Sequence, residues 1–251
     1  ISTHRSRKSI YAPNTEALQT FLEQRFEELR GINWDSNDLG DATSRSELAA
    51  YSGNSKTKEI RSCPGFIVNS YDPIYAKLNG IDIVIAPEEG TMVFIADWEH
   101  FKISQEVLVV GIENMENFRR IKEQRYFFPT DRPILFVSRY PQSTDLRNWL
   151  QIISNEYLHF GDFDLAGMHI YETEFYKYLG NRASFFIPTD IESRLSNGST
   201  ERYNTQYAKF KNYIPKDTRL LSLYEMIKHY HRCYDQEGYI DPKIESRKKE
   251  E

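Results

Sequence analysis

The run Val107-Leu108-Val109-Val110-Gly111-Ile112 constrains the fold more than any other stretch. It is apolar throughout and rich in β-branched residues, the pattern of a strand buried on both faces. Such a strand needs a covering layer on each side, which a single chain supplies by alternating strands with helices. The sequence does alternate. Strand-like runs recur at Pro133-Ile134-Leu135-Phe136-Val137, at 156–160 and at Ser184-Phe185-Phe186-Ile187. Between them, Met115, Phe118 and Ile121, then Leu146, Trp149, Leu150 and Ile153, then Ile170, Phe175, Tyr178 and Leu179, fall at helical spacing. The expectation is an α/β domain over 103–235, with about four parallel strands between helices. Residues 190–235 are expected as its helical appendage and 236–251 as a charged tail.

The first 102 residues read differently. Leu18, Phe21, Leu22, Phe26 and Leu29 predict an amphipathic helix whose stripe is core. Thr43-Ser44-Arg45-Ser46-Glu47 has the form of a capping box, and after Ser52-Gly53-Asn54 a short basic helix holds Lys56, Lys58 and Arg61. Helix, glycine turn and basic helix suit a helix-turn-helix, and equally two unspecialised packed helices. Ile81–Ile85 and Met92–Ile95, joined by Pro87-Glu88-Glu89-Gly90, are expected as a hairpin wing. The whole is expected to be a smaller winged-helix-like α+β domain, with Arg45, Lys56, Lys58 and Arg61 as its DNA-contacting residues.

Chemistry gathers at two strand ends. Glu113 and Asn114 follow the first buried strand directly, and Asp162 and Asp164 follow the strand at 156–160 in Phe160-Gly161-Asp162-Phe163-Asp164-Leu165-Ala166-Gly167. Ligands of open α/β sheets lie outside the carboxyl ends of strands, so these three acids can converge. Close carboxylates repel, and a bound divalent cation reverses that cost. An Asp-x-Asp ahead of a helix is also a common turn and helix cap, so either reading of the pair stands. Asn114, Glu116 and His169 are auxiliary candidates by position.

Composition narrows the rest. The 251 residues carry a net charge of −5, so phosphate backbones would have to meet a local basic patch or a metal. No apolar run approaches the ~18 residues of a membrane span. Cys63 and Cys233 lie in unrelated segments and read as reduced thiols of a cytoplasmic protein. No hydrophobic signal segment follows the amino end, and Ile1 in place of Met points to a truncated or processed chain. No Gly-x-x-x-x-Gly-Lys loop or Gly-x-Ser-x-Gly elbow is present, which disfavours ATP hydrolysis and serine esterase chemistry.

Ile112-Glu113-Asn114 with the Gly-Asp-x-Asp-x-x-Gly of 161–167 resembles the Toprim domain, most closely the branch that holds the DNA-cleaving subunit of topoisomerase VI and the JetD nucleases of Wadjet plasmid defence. Ser44-Arg45-Ser46-Glu47 through Gly53-Asn54-Ser55-Lys56 is similar to the run that precedes Toprim in JetD-like proteins. The resemblance implies that Glu113, Asp162 and Asp164 are catalytic acids holding Mg2+ or Mn2+ for phosphodiester hydrolysis in double-stranded DNA. It implies a homodimer that serves as cutting subunit to an SMC/condensin-like ATPase against plasmid or phage. Tyr11, behind Arg5, Arg7 and Lys8, is in a setting only loosely similar to that of the topoisomerase VI nucleophile and lacks that enzyme's paired tyrosines, so it is not expected to act as one. The alternatives are a DNA-binding or assembly subunit that does not cut, and a Toprim nuclease acting on RNA or single strands.

Overall fold

A computed structural model describes residues 14–25, 63–129, 131–140 and 143–240. The chain groups into two compact units, 1–63 and 64–251. In the first, helix α1 (Thr15–Arg25) starts where Asn14 accepts a hydrogen bond from the Ala17 amide at 2.7 Å. Leu18 and Phe21, expected in a buried stripe, are exposed. Tyr11, Arg45, Lys56, Lys58 and Arg61, with the expected helix-turn-helix, lie outside the described residues.

The second unit is mixed α/β, built on a six-stranded sheet. Its strands are β1 (Phe66–Ser70), β4 (Val93–Ile95), β6 (Leu108–Ile112), β7 (Ile134–Ser138), β8 (Tyr157–Phe160) and β9 (Ala183–Phe185). They run in the order β4-β1-β7-β6-β8-β9, with β6 to β9 mutually parallel and β1 antiparallel to both neighbours. Every residue of β6 and β7 is buried, as their sequences, free of polar side chains but for Ser138 at the end of β7, require. Helix α3 (Ser143–Ile152) brings Trp149, wholly buried, within 5.1 Å of the Phe66 ring and 5.4 Å of Phe101, and its indole donates to the Phe101 carbonyl. Strand β8 alternates: Tyr157 and His159 pack on Phe175, while Phe160 packs on Phe128 and Phe186.

The expected wing is corrected. Strand β3 (Ile81–Ile85) pairs with β2 (Ile74–Leu78), and β2 with β5 (Phe101–Ile103), in a second, antiparallel sheet. The turn is Asn79-Gly80, with φ of 52° and 81°. Two positive φ values match the right-handed twist of the flanking strands, which is why this pair of residues closes a hairpin. Strand β4 leaves β3 and adds to β1 in the main sheet. Residues 66–103 therefore belong with the parallel strands rather than with the amino-terminal unit.

After β8 the chain forms one continuous helix. It comprises α4 (Leu165–Ile170), a π-helical stretch (Tyr171–Tyr176) and a last turn (Lys177–Leu179). Helices α5 (Ile191–Leu195), α6 (Thr200–Phe210) and α7 (Leu221–Tyr230) make up the expected helical appendage. Of the expected tail, 241–251 lie outside the described residues, while 236–240 are packed: Gln236 and Tyr239 are buried, next to Tyr234, which exchanges backbone hydrogen bonds with Phe163 as an antiparallel bridge. No helix among the described residues is long and apolar enough to cross a membrane.

Candidate active site at the carboxyl edge of the sheet

Glu113 and Asp162 leave the carboxyl ends of the neighbouring parallel strands β6 and β8, and the Glu113 amide donates to the Phe160 carbonyl at 3.0 Å. Arg139 follows β7 on the other side of β6 and donates to Glu113 Oε1 at 3.3 Å. The edge is closed from above by Gln236. Its side chain donates to the Phe160 carbonyl and accepts from the Asn114 amide, and its own amide donates to Asp162 Oδ1 at 2.9 Å. Gln236 therefore stitches the ends of β6 and β8 together.

Asp164 does what its sequence position allowed as a helix cap. Its Oδ1 accepts from the Gly167 amide, the first-turn donor of α4. Its Oδ2 accepts from Gln206 and from Arg202 Nε at 3.0 Å, so this 1 % exposed carboxylate is fully engaged. Gly167 lacks a Cβ because the Asp162 carbonyl occupies that place. Asp162 accepts at Oδ2 from Arg202 Nη2, and Arg202 Nη1 lies 2.8 Å from Asp235 Oδ1. One guanidinium on α6 thus meets three carboxylates.

Burial above all, and then the charges of Asp164 and Glu113, push the Asp162 carboxyl up to about 7 against the opposing pull of the Gln236 amide and Arg202. Burial alone would lower the Arg202 guanidinium, but Asp162 and Asp164 hold it above its usual range.

Beneath Glu113 runs a second polar column. The Tyr157 hydroxyl lies 2.9 Å from His159 Nδ1, and His159 Nε2 lies 3.6 Å from Glu113 Oε2. Both of those last two atoms are buried without a hydrogen-bond partner. The column exists because Gly161 leaves room for it: a Cβ there would come within 2.6 Å of Glu113 Oε2 and 2.9 Å of His159 Nε2.

Of the auxiliary candidates, Asn114 touches this edge through its amide to Gln236, while Glu116 and His169 fall elsewhere. Asn114 caps helix α2 (Met115–Arg119) and donates to Glu237, while Glu116 is exposed and paired with Arg120. His169 packs on Phe210 and Tyr213 and lines a cavity of about 380 Å3 with Glu172 and Lys216. Arg139, Arg202, Gln206, Asp235 and Gln236 carry no signal in the sequence. Each reaches the site from a segment without a local motif.

The carboxylate oxygens suit a hard cation such as Mg2+ or Mn2+. Their arrangement does not: Arg202 stands between Asp162, Asp164 and Asp235, and Glu113 is tied to Arg139. Among the described residues, no group of three or more His, Cys, Asp or Glu side chains is placed to hold a metal ion. What fold and site define together is a mixed α/β unit with an arginine-laced acidic edge. No protein-family model matches this chain, and no curated protein matches it.

Proposed function

We propose that this protein is a DNA endonuclease of Toprim type, hydrolysing phosphodiesters at the carboxyl ends of β6 and β8. The observation that carries the reading is the pair Glu113 Oε2 and His159 Nε2, 3.6 Å apart, buried and unpartnered at that edge. Buried polar atoms almost always find hydrogen-bond partners, and exceptions concentrate where chemistry needs a free lone pair or donor. Glu113 is the acceptor for a proton from an attacking water, held at Oε1 by Arg139 and with the buried His159 ring behind its unpartnered Oε2. Burial pushes the Asp162 carboxyl up to about 7, which makes it the group assigned to give a proton to the leaving oxygen. Arg139 and Arg202 are the cations at this edge of a chain of net charge −5, and a phosphate would meet them in competition with Glu113 and Glu174 at Arg139 and with three aspartates at Arg202. Mg2+ or Mn2+ is the cofactor of this reading, and no step is assigned to it because Arg202 occupies the acid cluster. A homodimer and an SMC/condensin-like ATPase are the partners that the JetD resemblance proposes.

The second reading is a subunit that binds DNA without cutting. It is favoured by the Arg202 bridge, which neutralises the acids and holds α6 against the strand end. Supercoiled plasmid, linear duplex, single-stranded DNA and RNA incubated with the full chain and Mn2+ separate the readings. The proposal expects duplex cleavage that EDTA abolishes. Binding without cleavage on every substrate overturns it in favour of the second reading, and cleavage of RNA or single strands alone overturns the choice of duplex DNA.

A further inference from the structure

The cavity beside His169 is separate from the acidic edge: none of Glu113, Asp162, Asp164 or Arg202 lines it. Its volume of about 380 Å3 falls within the span of small-molecule sites, roughly 300–1,000 Å3. One side is a stretch of a single helix. His169 lies near the end of α4, Glu172 and Tyr176 belong to the π-helical stretch, and Lys177 opens the last turn. The other side is the segment 213–216, which brings Tyr213 and Lys216. π-Helical turns are rare in proteins and recur at functional sites.

The two sides are built against each other. Glu172 is buried and both its oxygens are taken: Oε2 accepts from the Tyr213 hydroxyl at 2.9 Å, and Oε1 from the amides of Lys216 and Asp217. That carboxylate ties the 213–216 segment to the helix and fixes the Tyr213 ring, which meets His169 edge to face at 5.6 Å. Three lining groups stay uncommitted: the His169 imidazole nitrogens, the Tyr176 hydroxyl and the Lys216 ammonium make no hydrogen bond or ion pair among the described residues. Aromatic rings on both sides offer π faces to a planar base. Lys177 and Lys216, both exposed, add two positive charges. They suit one phosphate rather than a chain of them, because the amides of Lys216 and Asp217, which could cradle further phosphates, are spent on Glu172.

We propose that this cavity is a nucleoside monophosphate site, with the base against His169, Tyr176 and Tyr213 and the phosphate held by Lys177 and Lys216. Glu172 is its positioning residue and touches no ligand. The site stands whether or not the acidic edge cuts DNA.

Calorimetric titration of AMP, GMP, CMP and UMP into the full chain tests it, with the matching nucleosides and inorganic phosphate as partial ligands. The variants are K177Q/K216Q and His169→Ala. At least one of the four nucleotides should bind saturably, about tenfold or more tighter than its nucleoside or phosphate alone. The exposed lysines can change without loss of packing, so K177Q/K216Q should keep the parent's Tm. It should lose about tenfold or more in nucleotide affinity and keep its affinity for the nucleoside. His169→Ala should weaken nucleotide and nucleoside alike. No saturable binding of any of the four overturns the proposal, as does nucleotide binding that K177Q/K216Q leaves unchanged. Affinity for phosphate equal to that for the nucleotide removes the base from the site and overturns it too. Tighter binding of a single-stranded oligonucleotide with a terminal phosphate, lost in K177Q/K216Q, overturns the free nucleotide in favour of a strand end.

Discussion

Arg202 bonds Asp164 through Nε at 3.0 Å and Asp162 through Nη2, so two aspartates one residue apart share a single guanidinium from a helix about forty residues downstream. The consequence is unequal. Asp164 is fully buried, caps α4 and also holds Gln206, while Asp162 keeps 20 % of its side chain exposed.

Replacing Asp164 with Ala should therefore cost about 1–3 kcal/mol, because it removes the α4 cap and leaves the Gly167 and Gln206 amides without their acceptor. Asp162→Ala at pH 7 should stay within about 1 kcal/mol of the parent, since the lost bond to Arg202 is offset by relief of a buried carboxylate. Urea unfolding of the two variants checks the order. An Asp162→Ala variant as unstable as Asp164→Ala contradicts it.

Glycines 111 and 161 should fail differently. A Cβ at Gly111 runs into the Tyr157 ring and hydroxyl, and that ring is held against Phe175, so Gly111→Ala should cost about 1–3 kcal/mol of stability. At Gly161 the nearest atom, the far end of Glu113, can turn away, but the Cβ also comes within 2.9 Å of His159 Nε2 on a buried ring packed against Phe175 and Phe185. Gly161→Ala should cost less stability than Gly111→Ala and lose cleavage. Paired melting curves and plasmid assays separate the two outcomes.

Stability should also carry a signature of Asp162. Its folded-state value of about 7 lies above the ordinary 3.8, so the folded protein binds the extra proton between those values. Its contribution is then present in full below about 4 and fades as pH rises through about 7. Relative to Asp162→Asn, the parent should lose Tm between those limits and run parallel above them. A constant difference across that window contradicts the assignment.

The two thiols should react at very different rates. Cys63 is exposed, whereas Cys233 is buried and burial pushes its thiol up to about 12. Iodoacetamide should label Cys63 alone in the folded protein and both residues in urea, read by peptide mass spectrometry.

The parallel strands are legible in the sequence because runs such as 107–112 have no polar residue to place in solvent. Strand β4 is legible as the 92–95 run but its partner is not, because β1 and β4 add to the sheet through antiparallel pairings that no local periodicity announces. The β2–β3 hairpin is readable from Asn79-Gly80, a stronger turn signal than the Pro87–Gly90 segment on which the expected wing rested. At the site, the positions of Glu113 and Asp162 follow from strand ends alone, and the capping role of Asp164 from its place ahead of a helix. Arg202 and Gln236 do not, because each acts across about forty and seventy residues of chain through contacts that only tertiary packing creates.

The most direct test of the central claim is the initial rate at which the full chain nicks supercoiled plasmid in Mn2+, compared between the parent and Glu113→Gln. Glutamine keeps the shape and the contact with Arg139 but removes the acceptor charge. The account predicts that cleavage falls by about 10²–10⁴-fold with the Tm unchanged. Cleavage by Glu113→Gln at the parent's rate, or no cleavage by the parent, would contradict it.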